Sequence, residues 1–242
     1  GAGGLANVTV SDSTAFDLAA LTLTGNLSVT AGGAITDSGT LTIGGTTTLN
    51  AGAGNNLTLD QALSTFGALA LTGNNVNITE NAATDLGAST VSGTLGVTSS
   101  GAITDSGNLT VTGTTTLAAG AGNDITLNNA NNFATVLITS GNNVTLNDTG
   151  AIGLGASTLS GTLDVTSGGN LNVTGASTTS GNVTLKSSGA IVMNSGSQIN
   201  SNGGDIVLGG PNPLVNPAQG VAGQINGIEL INAQLISGAG NI

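Results

Sequence analysis

GAITDSG at residues 33–39 returns letter for letter at 101–107, and IGGTTTLNAGAGNNLTL at 43–59 returns as VTGTTTLAAGAGNDITL at 111–127. The same 68-residue offset carries DLGASTVSGTLGVTSSG at 85–101 onto GLGASTLSGTLDVTSGG at 153–169, with nothing inserted or deleted between copies. Each copy is a run of short apolar alternations cut by glycine. Units of that kind cannot bury a core alone and must stack on their neighbours, which is the signature of a solenoid.

Strand signals recur inside the copy: LTLT at 21–24, LSVT at 27–30, LTI at 41–43, LTL at 57–59, LALT at 69–72 and VNIT at 76–79. Apolar residues alternate with Thr, Ser or Asn, the period of two that turns one face to a core and the other to water. Helical spacing is sustained nowhere. Gly-Asn, Gly-Gly, Asp-Ser-Gly and Ala-Gly-Ala-Gly segments lie between the strands and supply sharp corners. The predicted fold is therefore all-β, a parallel β-helix.

Dividing the period by three gives rungs of about 23 residues, three rungs per 68-residue repeat and roughly ten in the chain. Alignment of the copies nominates inward ladders: Leu27, Leu95 and Leu163; Val29, Val97 and Val165; Ile35, Ile103 and Leu171; Val8, Val76 and Val144. Phe16, Phe66 and Phe133 are expected at irregular corners, as plugs over loops, because a narrow aliphatic stack has little room for rings. The copies run from about residue 5 to about 185, where Thr184 and Leu185 still follow Thr48 and Leu49 and Thr116 and Leu117.

These signals place a β-helix shaft at residues 1–210, a Pro-rich loop at 211–217 and a continuing rung or irregular end at 218–242. PNPLVNP at 211–217 holds all three prolines, and proline removes a ladder donor, so this segment is expected to leave the sheet. A solenoid end without a polar cap exposes an edge that invites pairing with another chain.

Twelve acids face a single base, Lys186, for a net charge of −11. That balance excludes an electrostatic grip on nucleic acid or on an acidic membrane. Without cysteine there are no disulfides or thiolate metal sites. No apolar run reaches the roughly 18 residues needed to cross a bilayer. No signal peptide opens the chain at Gly1, which points to a cytoplasmic protein or to a mature fragment of something longer.

Candidate chemistry is thin. Asp37 and Asp105, like Asp17 and Asp85, occupy equivalent positions. Three rungs would hold each pair about 14 Å apart along the axis, beyond the roughly 5 to 9.5 Å that paired glycosidase carboxylates need. With no His or Arg, acid-base chemistry has few parts left, and no enzyme, no catalytic residue, no cofactor and no metal is expected. AGAGNDITL at 119–127 partly echoes a calcium-binding nonapeptide, but Asn56 stands where its partner has Asp124, and a glycine corner explains it. The threonine triplets at 46–48 and 114–116 read as a solvent face of ordinary β-propensity. Asn7, Asn75 and Asn143 read as corner residues that bond their own backbone, and the Asn-x-Ser/Thr sequons, such as those beginning at Asn7, Asn56, Asn77, Asn108, Asn143 and Asn182, arise by composition.

GNLSVTAGGAITDSGTLTIGGTTTL at 25–49 and SGTLDVTSGGNLNVTG at 160–175 resemble the repeat regions of filamentous-haemagglutinin-type proteins, large bacterial adhesins exported by two-partner secretion. The resemblance covers residues 5 to about 210. It implies a right-handed parallel β-helix, export as an unfolded chain, and display at the bacterial cell surface or beyond it. It carries no binding residue onto this chain, because receptor sites in such adhesins lie outside the plain repeats.

The expected role is thus a structural stalk in a secreted adhesin, with protein or glycan receptors engaged through regions outside this segment. A subunit of a self-assembling extracellular filament or biofilm matrix, associating end to end or side by side, is the alternative. A carbohydrate-active β-helix enzyme shares the fold by analogy alone. Neither nucleic acid nor membrane insertion belongs to any of these readings.

Overall fold

A computed structural model describes residues 5–210, 227–230, 234–238 and 240–242. All regular structure among them is strand, and every assigned pairing is parallel. The chain forms a β-solenoid of about ten turns, divided into two compact units, Gly1–Thr115 and Thr116–Ile242. The expected Pro-rich loop at 211–217 lies outside the described residues. Beyond it, Gly227–Leu230 pairs with Ala190–Met193, and Gln234–Ile236 pairs with Gln198–Asn200, so the sheet continues into the last segment.

Three strands make a turn in the first unit. Val8–Asp12, Phe16–Leu18 and Leu21–Leu23 follow one another round three faces, after which Leu27–Ala31 returns to pair with Val8–Asp12. Strict alternation puts Leu27, Val29 and Ala31 inside and Ser28 and Thr30 towards solvent. Each such buried Leu or Val contributes roughly 1.5 to 3 kcal/mol, and the backbone ladders satisfy the polar groups that burial would otherwise strand.

Most turns are shorter than one third of the repeat, although Ile43 pairs with Phe66 and Val183 with Ile206 at the expected spacing of about 23. Val8 pairs with Leu27, Leu27 with Thr47 and Thr47 with Leu69, and each step in this series is slightly longer than the one before. Three turns from Val8 therefore reach Leu69, and Val76, the repeat partner of Val8, lies on the next face. There it joins another ladder, Phe16, Ile35, Leu57, Val76 and Leu95. One sequence repeat thus makes three turns and one further face. The second unit follows the same rule by itself. Leu117 accepts the Thr139 hydroxyl, on the stretch that pairs with Ser157–Leu159, whereas Leu185 pairs with Val165 and through it with Leu146 and Leu127.

This corrects the expected ladders. Leu27 and Leu95 are both buried, but they belong to different ladders, and so do Val29 and Val97, Val8 and Val76, and Ile35 and Ile103. Dividing by three presumes that copies return to the same face. They do not, because three strands of similar length and similar alternation accept the same sequence equally well.

The phenylalanines also depart from expectation. Phe16 opens a strand and pairs with Ile35, Phe66 pairs with Ile43, and Phe133 is fully buried inside the strand Ile125–Gly141. Phe66 and Phe133 are core residues, not covers over loops, and Phe16 lies half-buried on a strand. The ladder shifts register between Ile43 and Thr46, beside Phe66, and the turn from Thr47 to Leu69 is the longest of its series.

Candidate functional site

Each candidate side chain has an identifiable surrounding in the solenoid. The corner asparagines come first. Asn7 accepts the backbone N–H of Asn26 at 2.7 Å, and Asn26 accepts that of Thr46 at 2.9 Å. On another corner of the same unit, Asn56 accepts from Asn75 at 3.2 Å and Asn75 from Thr94 at 3.1 Å. In the second unit Asp124 accepts from Asn143 at 3.0 Å, and Asn143 from Thr162 at 3.1 Å. These side chains bond the next turn, not their own backbone as expected. A cap that links turns replaces the ladder bonds lost where the strands end.

The stacking explains the glycines above each amide. A Cβ at Gly25, Gly93 or Gly161 would collide with the Oδ1 of Asn7, Asn75 or Asn143. Gly52 and Gly120, equivalent in the two Ala-Gly-Ala-Gly corners, have φ of 74° and 82°, a left-handed backbone that glycine adopts without strain. Asp124, the candidate calcium ligand, is engaged by the Asn142 and Asn143 amides and by the Asn143 N–H. Among the described residues no three His, Cys, Asp or Glu side chains are grouped to hold a metal ion, and no helix is long and apolar enough to cross a membrane.

The aligned aspartates do not converge. Asp37 lies beside Leu18 in the ladder that holds Phe16 and Ile35, while Asp105 lies beside Leu86 in the ladder that holds Thr84 and Ile103. Asp37 is buried, accepts the Asp60 N–H at 2.9 Å through Oδ1, and leaves Oδ2 without a partner. Burial pushes its pKa above the usual carboxylate range. Asp17 accepts the hydroxyls of Thr36 and Ser38 from the next turn. Lys186 spans two strands to Asp164 at 2.8 Å, a half-exposed pair of modest energetic worth.

Two acids that sequence reasoning passed over hold the deepest positions. Glu80, 1 % exposed, accepts the backbone N–H of Phe66 at 2.7 Å through Oε1, and its Oε2 is buried without a partner. Burial pushes its carboxyl up to about 7, against the lowering effect of the Phe66 N–H. Asp148, also 1 % exposed, accepts the Phe133 N–H at 2.9 Å and the Gly150 N–H at 3.1 Å. Its pKa is raised by burial as well. Glu80 and Asp148 occupy the same position in successive repeats, and Asp12 is the third member of the series. The available signal was an acid where alternation calls for an inward residue, as in VNITE at 76–80 and VTLND at 144–148.

The threonine triplets are not a solvent face throughout. Thr47 and Thr115 point inward and are fully buried, each with an unpartnered hydroxyl. An open cavity of about 430 Å³ near the C-terminal residues is lined by Ile206, Leu208, Leu235 and Ile242, with Asp205 at its edge. Asp205 accepts the Asn241 N–H at 2.8 Å. The amides of Asn7, Asn75 and Asn143 and the carboxylates of Asp17, Asp37, Glu80 and Asp148 hold one turn upon the next.

Comparison with known proteins agrees with the repeat boundaries. A family model described as repeats of unknown function (DUF5649) matches residues 5–72, 73–140 and 141–197. No curated protein and no solved structure matches the chain.

Proposed function

Since the chain belongs to this family of repeats of unknown function, we propose its role from its construction: a structural spacer in a secreted bacterial surface adhesin, holding a receptor-binding region away from the cell. The observation that carries the reading is the use made of polar side chains. Asn7, Asn75, Asn143, Glu80 and Asp148 each accept a backbone N–H. A surface that recognised a ligand would keep such groups for it. The resemblance of residues 25–49 and 160–175 to filamentous-haemagglutinin-type repeats supports the adhesin context, and the absence of cysteine suits export of an unfolded chain.

Removal of one copy, residues 73–140, from the adhesin on cells tests this. The spacer reading expects receptor affinity in solution to stay unchanged while capture of receptor-coated beads under flow falls. Specific binding of a receptor or glycan by the purified 242-residue chain, or its cleavage of an acidic polysaccharide, overturns the reading.

A further inference from the structure

The first turn is built like an interior turn whose cover has been removed. Val8, Val10 and Asp12 face inward yet are only half-buried. Their equivalents one repeat on, Val76, Ile78 and Glu80, are buried, and so are Val144, Leu146 and Asp148 two repeats on. Beneath Val8, Phe16 and Leu21 lies an open cavity of about 310 Å³. The acid shows the same contrast. Glu80 and Asp148 each accept a phenylalanine N–H from the preceding turn, whereas Asp12 turns to its own chain and accepts the Thr14 N–H and hydroxyl, both at 2.7 Å.

We propose that the turn Val8–Leu23 is a docking surface for one further 68-residue unit of this repeat, joined ahead of Leu5, whose phenylalanine N–H donates to the Asp12 carboxylate. The geometry of the existing joint supports a covalent neighbour. Thr72 runs through Gly73, Asn74 and Asn75 into Val76, and a unit ending in the same way would run through Leu5, Ala6 and Asn7 into Val8 with identical spacing. A second molecule of this chain is a poorer fit. One repeat beyond Phe133 stand Asn200 and Ser201, and the Ser201 N–H already donates to Ile236 at 2.9 Å. The proposal is independent of any adhesive role, since it concerns only how the solenoid continues.

The test is a chain in which residues 5–72 are repeated directly ahead of Leu5, compared with the 242-residue chain. Carboxyl-carbon NMR is expected to show the Asp12 midpoint rising by about one pH unit or more in the extended chain. Amide exchange of Val8 and Val10 is expected to slow by about 100-fold or more. An added unit that folds without moving either signal, or that stays unfolded while the rest is native, overturns the proposal. Sedimentation supplies the other arm. The 242-residue chain is expected to remain monomeric, and concentration-dependent association abolished by V10D would make a second molecule the occupant and overturn it.

Discussion

Phe66 in the first unit and Phe133 in the second meet the same requirement with different residues. Phe66 follows Leu59 by seven residues and precedes Glu80 by fourteen, while Phe133 follows Leu127 by six and precedes Asp148 by fifteen. The ring has moved by one position, and the acid differs by one methylene. What stays fixed from repeat to repeat is the acceptor. The lesson is that the fold fixes where a buried N–H must be satisfied, and tolerates variation in which residue presents it.

The largest expected effect tests whether the rings are core. F133A deletes a fully buried side chain and is expected to cost about 3 to 5 kcal/mol. F66A should cost somewhat less, the ring being 7 % exposed, and F16A least, because Phe16 is only half-buried. Urea denaturation of the three variants measures the order. Equal losses at Phe16 and Phe133 would show that the rings merely cover corners.

The acids give the next effect. Glu80 has a folded pKa of about 7 against an ordinary value of 4.5. A raised folded pKa means that the native state holds its proton more tightly than the unfolded chain. The stabilisation is fully present below about pH 4.5 and is lost as pH rises through 7, about 3 kcal/mol in all. Asp37 and Asp148 are shifted in the same direction and add to it. Thermal midpoints should therefore climb as pH falls from 8 towards 5. E80Q keeps an acceptor for the Phe66 N–H but cannot ionise, so it should flatten much of that slope. A profile unchanged by E80Q would mean that Glu80 carries none of it.

Exchanging the acids sharpens the comparison directly. E80D withdraws the acceptor by one methylene from the Phe66 N–H, and D148E forces an extra methylene into a filled site. Each is expected to cost about 1 to 2 kcal/mol, the first through a stranded donor and the second through overpacking. Hydrogen exchange at the Phe66 and Phe133 amides distinguishes the causes, since only E80D should release its amide. Equal protection in both variants would count against the acid as the working acceptor.

Much of this architecture is legible in the sequence, and its failures are physical ones. Alternation in LTLT and LSVT marks strands and their inward residues correctly, and the repeat offset marks the family boundaries. The turn length is also present, in the common spacing from Asn7 to Asn26, Asn56 to Asn75 and Asp124 to Asn143. Those pairs identify successive turns because each asparagine or aspartate accepts from the next, a role that composition alone does not reveal. The Phe66 and Phe133 equivalence is hidden for another reason. A strict alignment of the repeats sets Phe66 against Ala134, and the one-residue shift is cancelled before Val76 and Val144, so the sequence offers no gap to betray it.

The smallest expected effect is a gain, and the third copy already contains its answer. Thr47 stands fully buried in the ladder Leu27, Thr47 and Leu69, its hydroxyl without a partner. Thr115 repeats the situation, but two repeats beyond Thr47 the chain has Val183, equally buried, in the ladder Leu163, Val183 and Ile206. Both residue types are β-branched and suit a strand, so the backbone is indifferent to the exchange. The difference is the hydroxyl, whose burial without a partner costs about 1 to 3 kcal/mol, part of which the near-isosteric methyl recovers. T47V should therefore raise stability by about 1 kcal/mol, and V183T should lower it by about as much. Were V183T neutral, the hydroxyl would be finding a partner inside the stack, and the interior at this position would not be the purely aliphatic ladder that Leu163 and Ile206 make it.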